Sequence, residues 1–337
     1  MRIGIAYDLR REQQQESDRP DDALEEYDSE ATVDAIAAAL CDAGHEVSLL
    51  GGGREFLERA LAAGAGHAAV DLVFNIAEGR GSRSREAQVP AACEMLGLPY
   101  TGSDPLSLAL CLDKALCKRI AASHGLATAA FCLVESADAI DSAPFPPLPA
   151  IAKPNAEGSS VGVRRNARYT TREALADRVR TLLADYRAPV LVEEFIEGVE
   201  VTVAVLGTGP RAQVIGTMEI APRQVSDQPF VYSLEVKRNY RQEVDYHVPP
   251  RLAATSVAAI EACALAAYRA LGCRDIGRVD LRLDARGAPC LIEINPLPGL
   301  NPVDGDLPLI WQRGGRSYAE LIAAILGQAV SRLELGR

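Results

Sequence analysis

Two carboxylates stand out because their neighbours leave them little choice of face. In IGRVDLRLD (276–284) the alternation of a strand puts Arg278, Asp280 and Arg282 on one side and Val279, Leu281 and Leu283 on the other. In CLIEINP (290–296), Glu293 and Asn295 share a side opposite Ile292 and Ile294. A two-residue turn at Arg286-Gly287 would make these segments a hairpin, with Asp280 directly across from Glu293 and Arg278 across from Asn295. Like charges so placed repel. One reading is an edge-strand salt cluster organised by Arg278. The other is a hard cation: Mg²⁺ takes a few oxygen ligands together with substrate phosphates. Asp280, Glu293 and Asn295 supply that ligand type, leaving Arg278 free to stabilise an anion.

A second segment suits phosphate. Lys153 closes the apolar strand PAIAKP, and EGSSVG (157–162) follows within a few residues. Small residues let backbone N–H groups converge on phosphate oxygens, and a lysine adds a point charge. The spacing is not that of the GxxxxGK[ST] loop, and a solvent-exposed glycine-serine turn would look the same. Lys114, in LDKALCK, reads on its own as a surface lysine. The four histidines have no motif context, and the eight cysteines form no CxxC pair or zinc spacing.

The elements that must carry these groups follow from periodicity. RIGIAYD (2–8), EVSLLG (46–51) and DLVFN (71–75) read as strands alternating with helices, a parallel α/β unit ending near residue 103. LRREQQQESDRPDDALEEYDSE (9–30) has little apolar surface to bury and reads mostly as a long mobile loop. SLALCLDKALCKRIAASHG reads as one amphipathic helix stopped by Gly125. The expected division is 1–103, 104–190 and 191–337. The 337 residues include 46 Asp+Glu against 35 Lys+Arg, a net charge of −11, which argues against general nucleic-acid binding. No apolar run reaches membrane-spanning length, and Met1 leads into a strand instead of a secretory segment. A reduced, cytoplasmic protein is expected.

Taken together, LGLPYTGSDPLSLALCLDK, KPNAEGSSVG, VEEFIEGVEVTV, IGRVDLRLD and IEINPLPGL resemble, in order and spacing, segments of the ATP-grasp superfamily, and within it the D-alanine–D-alanine ligases. The resemblance implies an α/β three-domain ATP-grasp fold, in which an N-terminal parallel α/β domain precedes central and C-terminal α+β domains that clamp ATP. Lys114 and Lys153 match lysines that hold ATP phosphates, and the loop of Glu157, Gly158 and Ser160 would close over them. Glu193, Glu194, Phe195 and Ile196 match the hinge that receives adenine, Glu200 the ribose contact, and Lys237 a lysine on the loop covering the nucleotide. Asp280, Glu293 and Asn295 match ligands of Mg²⁺, with Mn²⁺ as a substitute. Arg278 and the backbone N–H of Gly299 match groups that stabilise a tetrahedral oxyanion, and Ser159 a serine that orients substrate. The implied reaction is phosphorylation of a carboxylate by ATP, then displacement of phosphate by an amine, in a homodimeric enzyme acting on small molecules.

Departures fall on the substrate side. The His-Gly loop of the D-alanine ligases is replaced here by NIAEGRGSRSREAQVP, bringing Glu78, Arg80, Arg83, Arg85 and Glu86. Their glutamate after the first strand has Asp28 or Glu30 as its counterpart, with helix capping by Asp28 or Ser29 as the alternative role. Arg238 replaces the tyrosine after the mobile-loop lysine. NPVDGDLP, with Asn301, Asp304 and Asp306, replaces a serine segment that holds the second substrate's carboxylate. The expected activity is therefore a carboxylate–amine ligase whose pair is not two D-alanines. A true D-alanine–D-alanine ligase, a non-catalytic nucleotide-binding module and a phosphotransferase are the alternatives.

Overall fold

The computed structural model describes residues 1–13, 20–64, 70–224 and 229–335. The described residues build three sheets. In the first, β1 (Arg2–Ala6) lies between β2 (Glu46–Gly51) and β3 (Leu72–Asn75), all parallel, with α1 (Glu30–Asp42), α2 (Gly53–Gly64) and α3 (Gln88–Leu96) as connections or cover. Ile3 and Ile5 are fully buried against Ile36 and Leu40 of α1, so the alternation and the helical spacing meet in one core.

The expected single helix after residue 104 is two. α4 (Pro105–Leu112) stops at Asp113, whose extended backbone (φ −78°, ψ 93°) starts α5 (Lys114–Ser123). The Asp113 carboxylate accepts from Leu116 N–H at 3.0 Å and Asn155 Nδ2 at 2.8 Å. Asn155 in turn accepts from the N–H groups of Lys114 and Ala115. The break places Lys114 at a helix start.

The second sheet runs β4 (Phe131–Val134), β6 (Val190–Glu194), β5 (Ala150–Pro154), antiparallel, backed by α6 (Arg172–Tyr186). Leu175, Val179 and Leu182 of α6 are fully buried against it. Sheet pairing thus places Val190–Glu194 between β4 and β5.

The third sheet is the largest. It includes β7 (Glu200–Leu206), β8 (Gln213–Pro222) and, beyond the short helices α7 (Leu234–Arg238) and α8 (Tyr240–Glu243), β9 (Val244–His247). α9 (Ala254–Ala270) leads to β10 (Ile276–Leu283) and β11 (Pro289–Asn295), giving the order β11-β10-β7-β8-β9. α10 (Asp306–Arg313) and α11 (Tyr318–Leu335) pack on the first unit's core through Leu307, Ile310, Leu321 and Ile325.

The hairpin reaches its register by an unforeseen route. Near the turn Leu283 pairs with Pro289, and Asp284 N–H donates to Ala288, so the loop is longer than two residues. A bulge between Asp280 and Leu281 absorbs the extra residue, Ile292, and restores Asp280 opposite Glu293 and Arg278 opposite Asn295. It also turns Ile292 to the same cleft as Glu293, not to the opposite face.

The acidic stretch after β1 is the main departure. Residues 14–19 lie outside the described residues. Residues 20–28, expected to be loose, dock: Asp22 is fully buried, its carboxylate accepting from Gly162 N–H at 3.0 Å and Tyr186 O–H at 2.7 Å beside Arg164 at 3.1 Å. Ser29, not Asp28, caps α1 through Thr32 N–H. Low apolar content misled because this segment is held by charge and hydrogen bonds.

Candidate active site

The second and third sheets face each other across a cleft lined from both sides. From the second sheet, Lys153 of β5 and Lys118 of α5 converge on Glu193 of β6, at 2.6 and 2.8 Å, all three at most 8% exposed. Burial would raise the Glu193 carboxyl, but Lys118 and Lys153 outweigh it and hold it down to about 2. Lys118 also donates to Thr128 Oγ1 and to the Leu291 carbonyl of β11, so it ties the two walls together. The Glu193 side chain is therefore clamped by two lysines at the cleft wall. Glu193, Glu194, Phe195 and Ile196 all line the cleft. Phe195 N–H donates to Pro149, and the Ile196 carbonyl accepts from Arg282.

From the third sheet, Arg282 pairs with Glu200 at 3.1 Å and lies 4.7 Å from the Phe195 ring centroid. Lys237 sits 5.1 Å over the Tyr232 ring and has no carboxylate within ion-pair distance among the described residues. Asp280 accepts from Thr202 Oγ1 at 2.5 Å, Asn295 Nδ2 at 3.0 Å and two nitrogens of Arg278 at 2.8 to 3.2 Å. Glu293 faces Lys114 at 3.4 Å; burial raises its carboxyl, and Lys114, Lys153 and Arg278 bring it well below the usual range. The hairpin repulsion is thus relieved by cations of the chain itself. Arg278 is not free, as it also meets Asp306 at 3.5 Å. The oxygen donors of Asp280, Glu293 and Asn295 share one face and fit a hard cation, although no group of three acidic, His or Cys side chains suited to a metal occurs among the described residues.

The 157–162 loop bridges the walls. Lys114 Nζ donates to the Glu157 carbonyl. Ser159 (φ 46°) and Ser160 (φ 59°) are both left-handed, and at Gly162 (φ 74°) a Cβ would lie 2.6 Å from Pro154 Cδ. Two of the N–H groups expected to meet phosphate are engaged: Gly158 donates to Glu26 at 2.6 Å and Gly162 to Asp22. Ser160 Oγ donates to the Tyr232 carbonyl, whereas Ser159 is exposed and does not line the cleft. Burial, then Glu26, pushes the Glu157 carboxyl up to about 8 against the pull of Arg85.

The substrate-side residues divide. Asp306 lines the cleft. Asn301 is used locally, its Oδ1 accepting from Val303 and Asp304 N–H, and Asp304 is exposed. Gly299 is exposed on the loop after β11. Arg238 is bound to Asp21 at 2.9 Å and Glu25 at 2.5 Å. Arg85 is likewise held by Glu26 and Glu157, Arg80 is exposed near Asp8 at 3.8 Å, and Arg83 lies 3.6 Å from Asp113. Burial raises the Glu78 carboxyl well above its usual value, with Glu86 and Glu26 adding to it. Burial lifts Asp28 to about 7, with Asp8 and Asp304 adding to it.

Lys118 and Arg282 also carry a signal in the sequence. The first lies four residues beyond Lys114 on the same helix face, and the second shares the Arg278–Asp280 strand face. Asp22, Glu26 and Thr202 carried no local signal.

Two sheets thus face each other across one cleft, with converging lysines on one and a carboxylate hairpin on the other. A family model described as "D-ala D-ala ligase C-terminus" matches residues 120–327. The chain is 37% identical over 301 residues to the D-alanine–D-alanine ligase of Bordetella petrii, covering 88% of this chain and 86% of that one. Its fold resembles the Bacillus anthracis D-alanine–D-alanine ligase complexed with ATP (TM-score 0.72, 20% identity, all of both chains). It also resembles the VanG D-Ala:D-Ser ligase of Enterococcus faecalis (TM-score 0.68, 19% identity, 97% of this chain and 99% of that one). The chain belongs to the D-alanine–D-alanine ligase family, and is an ATP-dependent carboxylate–amine ligase of that type. No described helix is long and apolar enough to cross a membrane.

Proposed function

We propose that the chain phosphorylates a substrate carboxylate with ATP and passes the acyl group to an amine, releasing ADP and phosphate, with D-alanine as donor and acceptor. The convergence of Lys114, Lys118, Lys153 and Lys237 with Asp280 and Glu293 on one cleft carries this reading. The names of its relatives support D-alanine. The lysines would hold the transferring phosphate, with Glu200 and residues 194–196 on the nucleoside side. Asp280, Glu293 and Asn295 would hold Mg²⁺ or Mn²⁺, which neutralises phosphate charge when bound. Arg278 and the Gly299 N–H would meet the oxyanion, and Ser159 would orient substrate once its loop moves inward. The three-domain division, a homodimer and a cytoplasmic location complete this reading. A different substrate pair is the second reading, favoured by Asp306, whose carboxylate in the cleft departs from a site for a plain amino-acid carboxylate.

An ADP-release screen of D-alanine against a matrix of amino acids and amines, with ATP and Mg²⁺, tests the function. Acceptor-dependent ADP release is expected. Its absence for every pair would leave only a nucleotide-binding module. In the active combination, Lys153→Ala raises the KM for ATP, because that lysine meets ground-state phosphate. Arg278→Ala lowers kcat by roughly 10²–10³-fold, as expected for one oxyanion donor. Equal effects of the two changes on ATP KM alone would contradict this assignment.

A further inference from the structure

We propose that Asp306 is the acceptor's receptor: its carboxylate binds the ammonium of the incoming amine and takes the proton that nitrogen must lose before it attacks the acyl carbon. The inference rests on the ligase reading above and deepens it.

Asp306 opens α10, and its side chain is 12% exposed at the cleft wall. Its Oδ2 lies 3.5 Å from Arg278 Nη1, while Nε and Nη2 of the same guanidinium hold Asp280. If Arg278 meets the oxyanion, Asp306 stands beside the carbon under attack. That is where an attacking nitrogen must arrive and shed a proton.

The carboxylate is held in place by its surroundings. Gly305 N–H donates to the Asn301 carbonyl at 3.0 Å, and Val303 N–H to Asn301 Oδ1 at 2.9 Å, which shapes the loop entering α10. The positive end of the α10 dipole favours a negative group at its first residue. Arg278 and Asp280 of β10, Lys237 of α7, Tyr232, Tyr246 of β9 and Asp304 are the charged or titratable groups around it. Tyr232 and Tyr246 hydrogen-bond each other at 2.6 Å. Burial raises the Asp306 carboxyl, partly offset by Arg278 and Lys237, which moves it toward the range useful for proton transfer.

The step balances. The bound ammonium first gives one proton to Asp306 Oδ, which frees the nitrogen lone pair. That pair forms the C–N bond, the acyl C–O bond breaks, and phosphate leaves with its electron pair and takes the second N–H proton. An acceptor therefore presents its amine to α10, and a carboxylate on the acceptor must point elsewhere, because Asp306 would repel it.

Hydroxylamine separates this role from the rest of the reaction. It is largely unprotonated at neutral pH, so it traps acyl phosphate without a cation receptor or a base. The donor is D-alanine, or the donor of the pair releasing most ADP in the screen above, and the acceptor is that pair's amine. Hydroxamate formation by the wild type tests the ligase reading alone; if no donor gives hydroxamate, that reading fails whatever Asp306 does. With Asp306→Asn, amide formation is expected to fall by about 10²-fold or more, while hydroxamate forms at the wild-type rate. Asp306→Glu is expected to recover part of the amide rate. Equal loss of amide and hydroxamate in Asp306→Asn would overturn the proposal, as would an unchanged amide rate. The hydroxamate reaction also reports that the variant is folded.

Discussion

At the scale of single residues, the cleft is organised by charges that are useful only in combination. Glu193 is the clearest case, since it neutralises one charge shared by Lys118 and Lys153 in a place where neither would be tolerated alone. Glu193→Gln strands two buried ammonium groups. The expected loss is about 3–5 kcal/mol, the range for removing one partner of a buried pair, together with a raised KM for ATP. Chemical denaturation and nucleotide titration check both, and unchanged unfolding would show that the lysines are held otherwise. The hairpin obeys the same logic. Asp280 and Glu293 do not wait for a metal to be compatible, because Arg278 and Lys114 already sit against them.

At the scale of elements, the acidic segment 20–28 acts as a strap between the first unit and the phosphate-facing loop. Glu26 takes the Gly158 N–H, Asp22 takes the Gly162 N–H, and Asp21 with Glu25 holds Arg238 at the end of α7. Asp22 is the anchor because it is fully buried. Asp22→Ala leaves the Gly162 N–H and the Tyr186 hydroxyl without that acceptor, a cost of about 1–3 kcal/mol. Faster amide hydrogen exchange across 157–164 is expected, with the exchange of β7 and β10 unchanged. Identical protection in 157–164 would mean that the loop is rigid without the strap.

At the scale of the whole molecule, two sets of carboxyls pull stability in opposite directions with pH. Burial, reinforced by neighbouring carboxylates, lifts Asp28 and Glu86 to about 7 and Glu157 to about 8. These groups hold protons in the folded chain that the unfolded chain has released, so their contribution fades as pH rises from the ordinary carboxyl range to about 8. Glu193, held at about 2 by its lysines, contributes above its ordinary value and loses that contribution as pH falls. Linkage then gives a maximum of stability near about pH 5 for the ligand-free protein. Melting temperatures across this range check it, and a steady rise from mildly acidic to mildly alkaline pH would refute the assignment.

Much of this was legible in the linear chain, for a local reason. Strand alternation is a property of neighbouring residues, so Arg278, Asp280, Glu293 and Asn295 could be put on one face before any fold was known, and the bulge at Ile292 kept them there despite a longer turn. The same holds for β1, β2 and the buried stripe of α6. The break at Asp113 was not legible, because an apolar helical pattern runs through it; an Asn155 carboxamide 42 residues away holds it. Nor could the strap be read, since a polar stretch looks unstructured until its partners, Gly158, Gly162, Tyr186 and Arg238, are brought to it by other elements. Which arginines stay available was decided the same way. Periodicity assigns a side chain to a face, whereas the partner that neutralises a charge is chosen by whatever the folded chain packs against that face.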